Sequence, residues 1–183
     1  RVVVDKAVKV QSVNGPEVTI IQGNPTTNNN AVRCLYLADG AVLSGFTLTA
    51  GATRNAGDAT RERSGGGVWC ISTNAVLTNC VLASNLATRS GGGGYSGTFI
   101  DCTLTNNQAL GTTAGLGGGG VFASVLANCI VYFNTASNGP NHFGSDAQPI
   151  SLNYCCTTPL PTNGVRNITN APRFVNDAGG NLR

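Results

Sequence analysis

The side chains able to do acid–base chemistry are few: Asp5, Glu17, Asp39, Asp58, Glu62, Asp101, Asp146, Asp177 and His142. Hydrolysis of a glycosidic bond needs two carboxylates about 5–10 Å apart. In a repeating chain, adjacent copies would have to supply them at equivalent places. Asp101 stands where neighbouring copies of its motif carry Asn79 and Asn128, so it is alone there. Asp58 and Glu62 share one stretch with Arg54, Arg61 and Arg63 and read as a solvated, self-paired loop. No catalytic residue is therefore expected, and the chain reads as a non-enzyme. No metal or cofactor site is expected either. Cys-x-x-Cys is absent, and the adjacent Cys155 and Cys156 would point to opposite faces of an extended chain. His142 has no second ligand type near it and is expected at the surface or in a turn. The seven cysteines leave two readings open: thiols filling core sites, or disulfides formed in an oxidising compartment. Cys34 and Cys70, in similar places of successive strands, are the candidate disulfide pair.

Binding chemistry is better represented. In Val68-Trp69-Cys70 and Val121-Phe122-Ala123 the flanking residues are the inward ones, so Trp69 and Phe122 should face out, and Tyr95 matches them. Stacked, the three rings would form a flat stripe suited to sugar rings or a partner surface. Alternatively they only cover glycine-rich backbone and one another. With Arg54, Arg61 and Arg63 they make up the candidate ligand surface.

The elements that would position these residues are repeats. Val76–Leu82, Thr98–Leu104 and Val125–Val131 are copies of one strand pair, Val42–Leu48 precedes them, and a degenerate copy begins at Ser151. Phe46, Cys80, Cys102, Cys129 and Cys155 are equivalent, at spacings of 34, 22, 27 and 26 residues, which implies a basic coil of about 22 residues with loop insertions. Before the copies come glycine runs, Gly65–Cys70, Gly91–Ser96 and Gly117–Ala123, which let the chain turn with positive φ. Asn85, Asn107 and Asn134 each fall five residues past the aligned Cys, where stacked amides would bond along the stack and tolerate left-handed backbone. Alternation makes Phe46, Cys80, Cys102 and Cys129 one inward ladder, beside Leu48, Leu82, Leu104 and Val131. Three strands per repeat at this period describe a solenoid. The fold expected is all-β: a right-handed parallel β-helix.

Composition agrees. Charged residues make up only 10% of the chain and glycine 25 of 183, against roughly 25% and 7% in ordinary domains, which suits tight-turned β structure and excludes a helical bundle. The net charge of +3, with no basic cluster interleaved with aromatics, argues against nucleic acid. No apolar run reaches membrane-spanning length. The chain opens directly on Arg1-Val2-Val3-Val4, already strand-like, and is read as a piece of something longer. Coils are expected over 1–157. Residues 158–183 should form an irregular capping segment, because Pro149, Pro159, Pro161 and Pro172 interrupt that region. Leu160 stands where the next ladder Asn would fall, and Phe174 and Val175 are available to cover the last coil.

The glycine-run strands followed by Asn-x-Ala (residues 65–68 with 85–87, 91–94 with 107–109, 117–121 with 134–136) resemble the paired short motifs of polymorphic outer-membrane proteins and adhesin-like passenger segments. These belong among the right-handed parallel β-helix repeat proteins of bacterial surfaces. That resemblance implies an extracellular or cell-surface module used for adhesion or display, and the missing carboxylate set makes it a non-catalytic structural or adhesive one. Its expected partners are further copies of itself, joined end to end into a filament or layer, or surface glycans and proteins. The alternative is a polysaccharide lyase- or hydrolase-like protein, or its sugar-binding part, with catalytic residues outside this segment.

Overall fold

The computed structural model describes residues 1–175. Within them the chain is a parallel β solenoid. Three parallel sheets of six strands each run the length of the stack. The first sheet collects Val2–Val4, Leu35–Leu37, Val68–Cys70, Gly94–Tyr95, Val121–Phe122 and His142–Phe143. The second runs from Lys9–Gln11 through Val42–Ser44, Val76–Thr78, Thr98–Ile100 and Val125–Ala127 to Ser151–Asn153. The third joins Ile20–Gln22, Thr47–Thr49, Val81–Ala83, Thr103–Thr105, Ile130–Tyr132 and Cys156–Thr157. A short three-stranded sheet carries Leu86–Ala87, Gln108–Ala109 and Thr135–Ala136.

Each strand is too short to bury a face alone, so the core forms only by stacking. Register puts like over like: Leu48, Leu82, Leu104 and Val131 are successive partners, and all are buried. Phe46, Cys80, Cys102 and Cys129 precede those strands at matching positions; the three thiols are buried and Phe46 packs half-buried against them. The corner before this ladder requires left-handed backbone. Gly45 supplies it in one coil, and Asn79, Asp101, Asn128 and Tyr154 do so in the coils that follow. Asp101 is thus a corner residue.

Stacking also explains pairs of unequal residues. Gly94 takes a place held by Val68 and Val121 in the neighbouring coils, and a Cβ there would lie 2.6 Å from the Phe99 ring. Phe99 in turn is bigger than its register partners Leu77 and Leu126. Core volume is conserved within the coil, as close packing demands.

At the last coil the structure departs from expectation. Val175 is exposed, and Phe174 packs edge-on against Phe133, 6.2 Å between centroids, on the flank of the stack. The end is instead partly closed by residues 164–168: Tyr154 N–H donates to Val165 O, Cys155 N–H to Asn167 Oδ1 and Thr157 N–H to Ile168 O. Asp177 lies outside the described residues.

Candidate functional site

Three regions hold the residues with chemical potential: an interior amide ladder, a stack of rings outside the first sheet, and a groove beside that stack.

The ladder is continuous and directional. Asn85 donates from N and Nδ2 to Asn107 Oδ1 at 3.0 and 2.9 Å, and Asn107 does the same to Asn134 Oδ1 at 2.9 and 2.9 Å. Each Nδ2 also donates to a carbonyl one coil back: Leu48, Leu82 or Leu104. The left-handed residue at this corner is not the Asn, as expected, but the one before it: Ser84, Asn106 and Phe133 have φ of 56, 54 and 59°. Nor does the ladder lapse after Asn134. Asn141 Oδ1 accepts from Asn134 N and Nδ2, both at 3.1 Å, and Asn141 Nδ2 donates to Thr158 O. Asn141 comes from the glycine strand, where preceding coils have Gly67, Gly93 and Gly120. A Cβ on Gly93 would stand 2.6 Å from Gly120 O and 3.0 Å from Asn107 Nδ2. Each coil therefore has two facing positions, and one of them carries the side chain.

The same rule settles Cys34. Because Leu35 registers with Val68 and Leu37 with Cys70, Cys34 lies opposite Gly67, three places from Cys70's partner. Its thiol faces Gly51 and bonds Asn85 Oδ1 at 3.5 Å, filling the rung that Gly51 leaves empty. The expected Cys34–Cys70 disulfide is absent: every cysteine is a free thiol, six buried and Cys156 partly exposed. Burial pushes the Cys34 thiol up to about 12 and raises Cys70 and Cys102 as well. The six buried thiols are core fillers, which withdraws the argument from cysteine count to an oxidising compartment.

His142 is likewise inside. It occupies the inward column of Val121, is buried, and its Nε2–H donates to Pro159 O at 3.0 Å. Desolvation lowers its pKa, and that hydrogen bond partly offsets the shift. The surface or turn position expected for it is corrected: in the last coil, the inward column simply takes a ring.

Trp69, Tyr95 and Phe122 do stack, on the outer side of the first sheet, with centroids 6.4 and 5.4 Å apart and planes within 3 and 10°. Tyr36 extends the stack beyond Trp69 at 5.5 Å and Phe143 beyond Phe122 at 6.1 Å. The sequence signal for Tyr36 was Leu35-Tyr36-Leu37, which matches Val68-Trp69-Cys70. An open platform it is not: Tyr95 and Phe122 are only 6% and 2% exposed, and Gln148 Nε2 donates to the Tyr95 hydroxyl from a turn laid over the rings. The Tyr36 end of the stack meets a concavity.

That concavity is a groove of about 830 Å³ between the first coil and residues 53–62. The loop is self-supporting. Arg54 N–H donates to Glu62 O, and Glu62 N–H to Asp58 O. Asp58 Oδ1 caps the N–H groups of Thr60 and Arg61 at 3.0 and 2.6 Å. Glu62 accepts Asp58 N–H through Oε2 and pairs with Arg54 through Oε1 at 3.1 Å. Arg54 and Arg61 line the groove, with Asp5, Thr53, Tyr36 and Arg33. Arg63 does not; its carbonyl ties the loop to Thr53 at 3.2 Å.

Arg33 escaped the sequence reading. It is 6% exposed, and its Nη2 donates to Arg61 O and Ser64 O at 2.6 and 3.1 Å. Among the described residues, Nε and Nη1 have no hydrogen-bond partner and the guanidinium has no ion pair. Burial first, then the charges of Arg1 and Arg61, lower its pKa to about 10, with Glu62 opposing. Beside it, the Arg61 guanidinium lies 6.0 Å from the Tyr36 ring centroid. Among the described residues no group of His, Cys, Asp and Glu could hold a metal ion, and no helix is long and apolar enough to cross a membrane. No protein-family model, curated protein or solved structure matches this chain.

Proposed function

We propose that this chain is a non-catalytic structural or adhesive β-helix module, working outside the cell or at its surface, that holds a saccharide in the groove beside Tyr36. The observation that carries the reading is the way the groove's loop uses its carboxylates. Asp58 and Glu62 are tied to backbone N–H groups and to Arg54, which suits a fixed wall more than proton transfer. A stack of identical coils is a rigid frame for such a wall, and the resemblance of the glycine-run and Asn-x-Ala motifs to adhesin-like passenger segments supports the surface location. The proposed end-to-end association would use the outer edges of Val2–Val4, Lys9–Gln11 and Ile20–Gln22. No described strand pairs with these edges, and unpaired edges invite further strands.

The groove also favours a second reading, the sugar-binding part of a carbohydrate-active protein. A panel of polysaccharides separates the two: binding is followed on an array, and turnover by reducing ends and by absorbance of unsaturated products. Saturable binding with no product supports the adhesive module. Catalytic turnover by this segment would overturn it.

A further inference from the structure

Resting on the reading of the chain as a saccharide-binding module, we propose that the groove selects a saccharide carrying one isolated carboxylate, a uronate-type residue. In this assignment Arg33 and Arg61 receive the carboxylate, and Tyr36 contacts the adjoining ring. The first ground is Arg33. A guanidinium taken out of water normally has its charge paired and its donors satisfied. Here two backbone carbonyls occupy Nη2, no ion pair is made, and Nε and Nη1, without a protein partner among the described residues, open to solvent at the groove. The nearest carboxylates do not neutralise it, because Glu62 is paired with Arg54 and Asp58 caps the loop backbone. With both Nη2 hydrogens taken, Arg33 has no complete two-bond fork left, so Nη1 offers a carboxylate one charge-assisted bond. Arg61 adds a second charge on the same wall, held near Tyr36.

The second ground is the rest of the lining. Asp5, Asp58 and Glu62 share the groove with the arginines. They would repel a dense polyanion or an acidic peptide, yet they are good acceptors for hydroxyl groups. Thr53 adds a hydroxyl whose bonds run to the loop and to Thr88. One anionic group surrounded by hydroxyls satisfies this mixture. The ring of Tyr36, stacked on Trp69 and with the Arg61 guanidinium over it, gives the groove a fixed aromatic wall for a sugar to rest against.

The test is calorimetric titration of the whole segment with three probes: a trisaccharide ending in one glucuronate, the same trisaccharide with that carboxyl reduced to the alcohol, and a tetra-aspartate peptide. The expected result is saturable binding of the acidic sugar, at least tenfold tighter than the reduced sugar, and none of the peptide. Arg33→Lys, which keeps the charge but loses the planar group that bonds the loop carbonyls and presents Nη1, should weaken the acidic sugar about tenfold and leave the reduced one unchanged. Arg61→Ala keeps the carbonyl that Arg33 uses and should give a similar loss, so it decides the matter if Arg33→Lys fails to fold. Equal affinity for acidic and reduced sugars would overturn the carboxylate assignment while leaving the saccharide-binding module intact. Tight binding of the peptide would overturn the sugar, and unchanged affinity in Arg61→Ala would overturn the groove. Bond cleavage in the trisaccharide would instead refute the non-catalytic reading itself.

Discussion

The amide ladder and the groove both hold polar groups out of bulk water, and they treat them oppositely. From Asn85 to Asn141 every amide gives and receives within the stack, coil after coil. In the groove, Arg33 is nearly as buried as the ladder amides, but its Nε and Nη1, which have no protein partner among the described residues, reach solvent. A buried hydrogen bond adds only about 1 kcal/mol net, whereas stranding a buried group costs about 1–3 kcal/mol. The ladder is therefore an arrangement that folding itself favours. The groove instead leaves the remaining Arg33 donors to water, which a bound group can replace.

Breaking the ladder should give the largest effect. Asn107→Ala removes the partner of Leu82 O and Asn85 N and leaves Asn85 Nδ2 with its bond to Leu48 O alone. At about 1–3 kcal/mol for each stranded group, a total loss of about 3–5 kcal/mol is expected from urea unfolding. Asn141→Ala, at the end of the ladder, should cost about 1–3 kcal/mol. Equal losses would mean that the ladder is not cooperative along its length.

A smaller effect comes from the last coil and depends on pH. Burial holds the His142 pKa below its ordinary 6.5, so the unfolded chain binds that proton more readily than the folded one. The contribution of neutral His142 is present above about pH 6.5 and is lost as pH falls below it, towards the folded-state value. Midpoints of urea unfolding between pH 7.5 and 5 should fall, and His142→Leu should flatten that fall. An unchanged slope in the variant would place the titration elsewhere.

The smallest effect belongs to the loop. Arg54 and Glu62 are 49% and 38% exposed, and exposed pairs contribute about 0–1 kcal/mol. Arg54→Ala should leave thermal unfolding almost unchanged. A drop comparable to that of Asn107→Ala would show that the loop supports the coils.

What could be read from the sequence follows the same division. The thiol and leucine ladders and the Asn column were legible because parallel stacking places equivalent residues over one another, and repetition exposes equivalence. Cys34 misled because Asn28–Asn30 and Val32 precede it instead of a glycine run, which hid its register with Gly67. Asn141 was hidden because its amide reaches the ladder from the glycine strand. Pro140-Asn141-His142 in the place of Gly119-Gly120-Val121 was the available signal. The groove has no counterpart in other coils. The step of 34 residues between Phe46 and Cys80 marked the insertion, but nothing in it revealed that residues 53–62 would close over Arg33.

Hydrogen exchange followed by peptide, with and without the acidic trisaccharide, bears most directly on this division between a bonded ladder and a waiting site. Residues 103–109 should exchange only at the rate of global unfolding, with or without sugar. Residues 54–62 should exchange faster in the free protein and slow on binding. Exchange of 103–109 as fast as that of 54–62, or a loop unmoved by saturating sugar, would contradict it.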